Sequence, residues 1–232
     1  MNKIELLKDI EIINKELSFD LWNICFFKDK PRGLSPRLIF PMKRDEVKRI
    51  SEQESKLLYG SILNRTNYYY SIETPTKGSY SFSGSKSISA RSDLSLYCIE
   101  NNTLTKIANV ELKFGMVEDN LIKKDIEKLI RENIVGNWFH TIKNINLGTI
   151  GKIFEKFKIS FIEKEHLLNK IDEIEILFCF CVLEKRISLI KIFKYNKGDD
   201  FKKYVNDFFI IKYNIERKVI KITEDCGWLT CT

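Results

Sequence analysis

Apolar residues recur at helical spacing over residues 3–17 (Ile4, Leu7, Ile10, Ile13, Leu17), which predicts an amphipathic helix. That pattern lapses over "KDKPRGLSPRLIFPMKRDEVKR", residues 28–49, which holds three of the four prolines. The spacing resumes as a helix expected over Asp45–Leu63, where Asp45 and Glu46 suit the positive N-terminal end. Residues 66–92, with eight serines and four tyrosines, predict a strand and then a Gly/Ser loop. Next comes "ARSDLSLYCIENNTLTKIANVELKFG", Ala90 to Gly115, two runs of strand-forming residues around Asn101-Asn102: a β-hairpin. A helix is expected over Asn120–Asn133, buried strands over 174–183 and 187–195, and a short helix over 199–209. Late strands follow at about 209–214 and 218–223. No repeat and no linker interrupts this order, so the chain reads as a single α/β domain of helices layered on a sheet.

The hairpin carries the chemistry. Residues two apart in a strand share a face, so Glu111 and Lys113 are neighbours while Val110, Leu112 and Phe114 point the other way. A plain two-residue Asn101-Asn102 loop would set Asp93 opposite Val110; a three-residue loop, or a bulge, sets it opposite Glu111. The second register also gathers Leu94, Leu96, Cys98, Ala108, Val110 and Leu112 on one apolar face, and apolar patterning fixes register. Two carboxylates then face each other at about 5 Å between Cβ atoms, a destabilising arrangement unless a positive charge lies between them. Mg²⁺ or Mn²⁺, hard cations bound through oxygen, suit such a place. Lys113 beside them can stabilise developing negative charge or orient a water. Asp, Glu and Lys around one such ion are equipped for phosphodiester hydrolysis. On this reading the metal-free protein holds a cluster of like charges that Lys113 only partly offsets, so Asp93→Asn is expected to stabilise it.

The flanking helices add candidates. In a helical projection of Asp45–Leu63, Val47, Ile50, Leu57, Leu58 and Ser61 form a stripe with Glu54 in its middle, while Glu52 points away. A carboxylate on a buried face needs a partner or a cation, which makes Glu54 the expected third acid of the centre. In "NLIKKDIEKLIREN" the apolar arc is Leu121, Ile122, Ile126, Leu129 and Ile130. Asp125 falls inside that arc and Lys128 at its edge, as an ion pair beneath the site.

Composition narrows the classes. Hydrophobic residues make up 44% and charged residues 31% of the 232, a globular balance. The longest apolar run, "ILFCFCVL" from Ile176 to Leu183, falls far short of the roughly 20 residues that span a bilayer. The first residues carry scattered acids and do not read as a signal peptide, so a cytoplasmic location is expected. Six scattered cysteines with no CxxC pair and only two histidines argue against a zinc site or a disulfide framework. The net charge of +7 favours an anionic partner without identifying one. The 28–49 connection concentrates eight Lys/Arg against three Asp/Glu, and Arg32, Arg37, Lys43 and Arg44 are the candidates for gripping phosphates. His140 in "NWFHTIKN" reads as a packed or capping histidine or a substrate contact, and Tyr68–Tyr70 as core or as a surface for stacking bases.

An Asp at a strand start, a hairpin, Glu-x-Lys in "VELKFG" and a helix carrying "KKDIEKL" together resemble the PD-(D/E)xK nuclease superfamily. The resemblance covers roughly Glu54 to Leu183 and departs from the motif at Ser92, where its name has Pro. It implies a restriction-endonuclease-like αβββαβ core over about 45–195, with 1–44 and 196–232 as elaborations. It further implies Asp93, Glu111 and Lys113 as the catalytic triad, with Mg²⁺ or Mn²⁺ held by Asp93, Glu111 and Glu54. Asp125 and Lys128 match a supporting pair of some members. The function expected is a metal-dependent nuclease acting on DNA, in the setting of restriction or anti-phage defence. A homodimer or a companion subunit is compatible with it, and no membrane association is expected. The alternatives are a nucleic-acid-binding or assembly subunit that does not cleave, and an RNA-cleaving toxin.

Overall fold

The computed structural model of the chain describes residues 2–26, 38–42, 48–80, 88–145, 147–168, 170–210, 212–214, 219–221 and 226–232. Two helices, α1 (Lys3–Phe26) and α2 (Glu52–Leu63), precede three strands, β1 (Tyr69–Tyr80), β2 (Ile88–Glu100) and β3 (Thr103–Phe114). There follow α3 (Asp119–Glu132), β4 (Val135–Ile142), a π-helical turn at Leu147–Gly151, α4 (Lys152–Glu163) and α5 (Glu165–Leu168). The chain continues through β5 (Glu173–Val182), β6 (Ile187–Asn196), α6 (Phe201–Phe208), β7 (Lys212–Asn214), β8 (Val219–Lys221) and β9 (Leu229–Cys231). One mixed seven-stranded sheet runs β1-β2-β3-β4-β5-β6-β9, and β7-β8 form a separate pair. The β3–β4 and β4–β5 pairs are parallel and the rest of the large sheet is antiparallel. Parallel neighbours need a crossover, and α3 and α4 supply the two.

Each face of the sheet has its own core. On one, Leu94, Leu96, Ala108, Val110, Leu112, Phe139 and Leu177 pack under Leu6, Ile10 and Leu17 of α1 and Leu58, Tyr59 and Ile62 of α2. On the other, Trp138, Phe178 and Phe180 meet Ile126 and Leu129 of α3, Phe154 and Phe157 of α4 and Phe208 of α6. The first core is pinned by a buried polar cluster. Asn14 and Asn137 exchange side-chain hydrogen bonds of 2.8 and 3.1 Å, and Asn137 Nδ2 also reaches the Tyr59 hydroxyl at 3.1 Å. With β4 buried at every position, such groups are tolerable only because they satisfy one another.

Several expected elements change. The first helix extends to Phe26, because Leu21 and Trp22 continue its buried stripe. The second begins at Glu52 rather than Asp45: Ser51 is its extended N-cap, and Lys48, Arg49 and Ile50 are not helical. Its buried stripe is Ser55, Leu58, Tyr59, Ile62 and Leu63, and Leu57 is exposed. The strands β4 and β9 and the helices α4 and α5 add to the expected order. Among the described residues no helix is long and apolar enough to cross a membrane.

Candidate active site

Asn101 and Asn102 both take left-handed backbone (φ 50° and 60°), closing a two-residue turn of the kind that matches strand twist. From there Glu100 faces Thr103 and Tyr97 faces Lys106, but Leu96 faces Ala108 and Leu94 faces Val110. Ile107 is the extra residue of a bulge. Continued by one residue, this register sets Asp93 opposite Glu111. The two acids and Lys113 therefore share the sheet face covered by α3.

The acids are interleaved with lysines. Asp93 Oδ2 accepts the Leu112 N–H at 2.8 Å and lies 3.7 Å from Lys113 Nζ, while Asp93 Oδ1 lies 3.2 Å from Lys56 Nζ on α2. Lys113 Nζ is 3.0 Å from Asp125 Oδ2 on α3. Lys128 Nζ, one turn on, is 2.7 Å from Asp125 Oδ1 and 2.8 Å from Glu111 Oε2, and donates to the Arg91 carbonyl at 2.8 Å. Glu111 is buried, and its Oε1 has no hydrogen-bond partner among the described residues.

These placements set the protonation states. Burial raises the Glu111 carboxyl, aided by Asp125 and opposed by Lys128, to about 8. The upward direction follows from the unpartnered Oε1 and a second carboxylate sharing the same lysine. For Asp93, burial is outweighed by Lys113, the Leu112 N–H and Lys56, which hold its carboxyl below the ordinary value. For Lys113, burial is outweighed by Asp125, Asp93, Glu111 and Glu52, so its ammonium is held above the ordinary range.

Glu54 is not part of this centre. Its Oε2 accepts the Ser51 backbone N–H at 3.0 Å and the Ser51 hydroxyl at 2.5 Å, a capping box that turns the carboxylate back onto its own helix start. The pattern "SEQE" ahead of an apolar run is the sequence mark of that box. Glu52 faces the cluster instead: burial raises its carboxyl while Lys113, Asp93, Asp125 and the Phe114 amide act on it. Two further residues complete the rim. Lys56 is buried and pairs with Glu73 of β1 as well as with Asp93. Glu73 lies across from Asp93, between Ile72, opposite Leu94, and Thr74, opposite Ser92. Its backbone is left-handed (φ 52°), a region L-residues avoid.

His140 does not reach a nucleic-acid surface. It is fully buried on β4, its Nε2–H donates to the Gly115 carbonyl at 2.7 Å, and burial lowers its imidazole to about 4. Arg32, Arg37, Lys43 and Arg44 lie outside the described residues. Tyr68 hydrogen-bonds Asp9 on α1 at 2.5 Å, and Tyr69 is exposed.

Comparison with known protein families, curated proteins and solved structures finds no match to this chain. Among the described residues no three His, Cys, Asp or Glu side chains are grouped as a ready metal-ligand set.

Proposed function

We propose that this chain is a metal-dependent nuclease hydrolysing phosphodiester bonds in DNA, with α2, β1, β2, β3, α3 and β4 as a restriction-endonuclease-like core. One observation carries the reading: the bulged register that sets Asp93 opposite Glu111, with Lys113 on the same face. Asp93 and Glu111 would hold Mg²⁺ or Mn²⁺. The donors fit a hard cation: all are carboxylate oxygens, and Glu111 Oε1 is a buried oxygen with no hydrogen-bond partner among the described residues. Such ions are held by one or two carboxylates together with waters and substrate phosphate, so three gathered acids are not required. When bound, the ion lowers the pKa of a water and neutralises charge on the phosphate.

The chain's own residues do the rest. Lys113 is protonated at neutral pH and therefore not a base; its Nζ stabilises negative charge developing on a phosphate oxygen and orients the attacking water. Asp125 and Lys128 position Lys113 and Glu111. Incubation with supercoiled plasmid, linear duplex, single-stranded DNA and RNA, in Mg²⁺ or in EDTA, tests the reading. Cleavage of DNA is expected in Mg²⁺ alone; activity surviving in EDTA, or unchanged in Glu111→Gln, overturns it. A second reading, a subunit that binds nucleic acid without cutting, is favoured by the pairing of Asp93, Glu111 and Asp125 with lysines. Its outcome is binding without cleavage in Mg²⁺.

A further inference from the structure

We infer that Lys56 is a phosphate-binding residue of this site and that Glu73 occupies its ammonium until a nucleic-acid phosphate displaces it. The inference rests on the nuclease reading for its substrate class. It begins with how the three lysines of the cluster are committed. Lys128 is tied to Glu111, whose side chain is 1% exposed, and Lys113 to Asp125, at 7%. Separating either pair would leave an uncompensated charge in the interior. Lys56 differs: one of its partners, Glu73, has a side chain 48% exposed. The carboxylate of that pair is half in water and can leave for solvent, so of the three cations Lys56 is the one that can be handed to a substrate at the least cost.

Position agrees. Lys56 Nζ is 3.2 Å from Asp93 Oδ1, so a phosphate taking the place of the Glu73 carboxylate would rest beside the proposed catalytic acid. The anion it replaces is of like charge, and an ammonium with three donors can keep Asp93 while accepting a new partner. Glu73 holds this post from a left-handed backbone position, across the sheet from Asp93.

The test is anisotropy with a fluorescein-labelled DNA duplex, and an RNA of the same sequence, in EDTA so that nothing turns over. Glu73→Gln is expected to bind about five-fold tighter than wild type, the scale of one half-exposed ion pair. Lys56→Gln should bind about ten-fold weaker, as for a lost charge-assisted hydrogen bond. In the Lys56→Gln background, Glu73→Gln should gain nothing. That last arm separates displacement from a general loss of negative charge, which would tighten binding in both backgrounds. Lys56→Arg, which keeps the charge, should restore binding if Lys56→Gln is poorly folded. Cleavage in Mg²⁺ by a protein whose Glu73→Gln binds like wild type overturns the inference and leaves the nuclease reading standing. A Lys56-dependent gain without any cleavage does the opposite. Absence of binding to either probe overturns the inference, and overturns the nuclease reading as well only when cleavage in Mg²⁺ is also absent.

Discussion

Lys128 on α3 holds Glu111 on β3 at 2.8 Å with both side chains shut away from water. A buried ion pair adds little over a well-packed apolar pair, yet removing one partner strands the other. Lys128→Met should therefore lower stability by about 1–3 kcal/mol, the cost of a buried polar group left without its partner, since the Glu111 carboxyl can take up a proton. Adding Glu111→Gln to it should recover most of that loss. Urea denaturation of the three proteins at pH 8 checks both; a Lys128→Met protein as stable as wild type refutes the pairing.

Asp93→Asn should destabilise the metal-free protein, against the expectation from facing carboxylates alone. Lys56, Lys113 and the Leu112 N–H all favour the ionised acid. Bonds to a charged group of this kind are worth about 2 kcal/mol. Because the folded-state carboxyl is held below its ordinary value, its contribution is present above the unfolded pKa, near 4, and is lost as pH falls through the folded value. Melts at pH 7 and pH 3 should show the gap between wild type and variant closing at pH 3. With Mg²⁺ at about one hundred times its dissociation constant, wild type should gain about 2.7 kcal/mol and the variant much less.

The reversal shows which parts of the site were legible. Leu94, Leu96, Val110 and Leu112 alternate strictly enough to choose a register, and the Asn-Asn turn marks its start, so the Asp93–Glu111 opposition could be read from the sequence. Asp125 and Lys128 were readable because polar residues inside an apolar helical arc need one another. Lys56 was not: its partners Asp93 and Glu73 come from two strands, and nothing in the sequence marks the left-handed backbone at Glu73. Glu54 departs from the expectation because its buried carboxylate is already met by Ser51 and needs no cation. The strand β4 is not legible in the sequence because it is buried on both faces, which removes the alternation. Gly136 within it marks close approach, since a Cβ there would lie 3.0 Å from the Ile176 side chain.

His140 should make the protein acid-sensitive on its own account. Burial holds the folded imidazole near 4, whereas an unfolded histidine titrates near 6.5. At this group the unfolded chain therefore binds more protons between those values, and the contribution of His140 to stability falls as pH drops from about 6.5 to about 4. The loss between pH 7 and pH 5 should be about 2 kcal/mol. His140→Gln should flatten that slope in urea titrations at the two pH values, whatever its absolute stability.

Metal binding should release a proton. With the Glu111 carboxyl near 8, a cation coordinated there displaces a proton at neutral pH. Mg²⁺ affinity should then rise with pH up to about 8 and level off above it. Calorimetry at pH 7 in two buffers of different ionisation enthalpy should give different apparent heats, and Glu111→Gln should abolish the difference. Equal heats for wild type would refute proton release.

Ile107 lies in the β2–β3 ladder between Lys106, paired with Tyr97, and Ala108, paired with Leu96. Were it excised, the ladder would close over the gap with every pairing kept, Asp93 still meeting Glu111. What would go is the bend and added twist that an extra residue gives a strand. The hairpin thus separates two properties that a plain ladder locks together: which carboxylates meet, and the angle at which they are offered to α3. Shortening the chain by this one residue changes the aim of the site and leaves its cross-strand pairing intact.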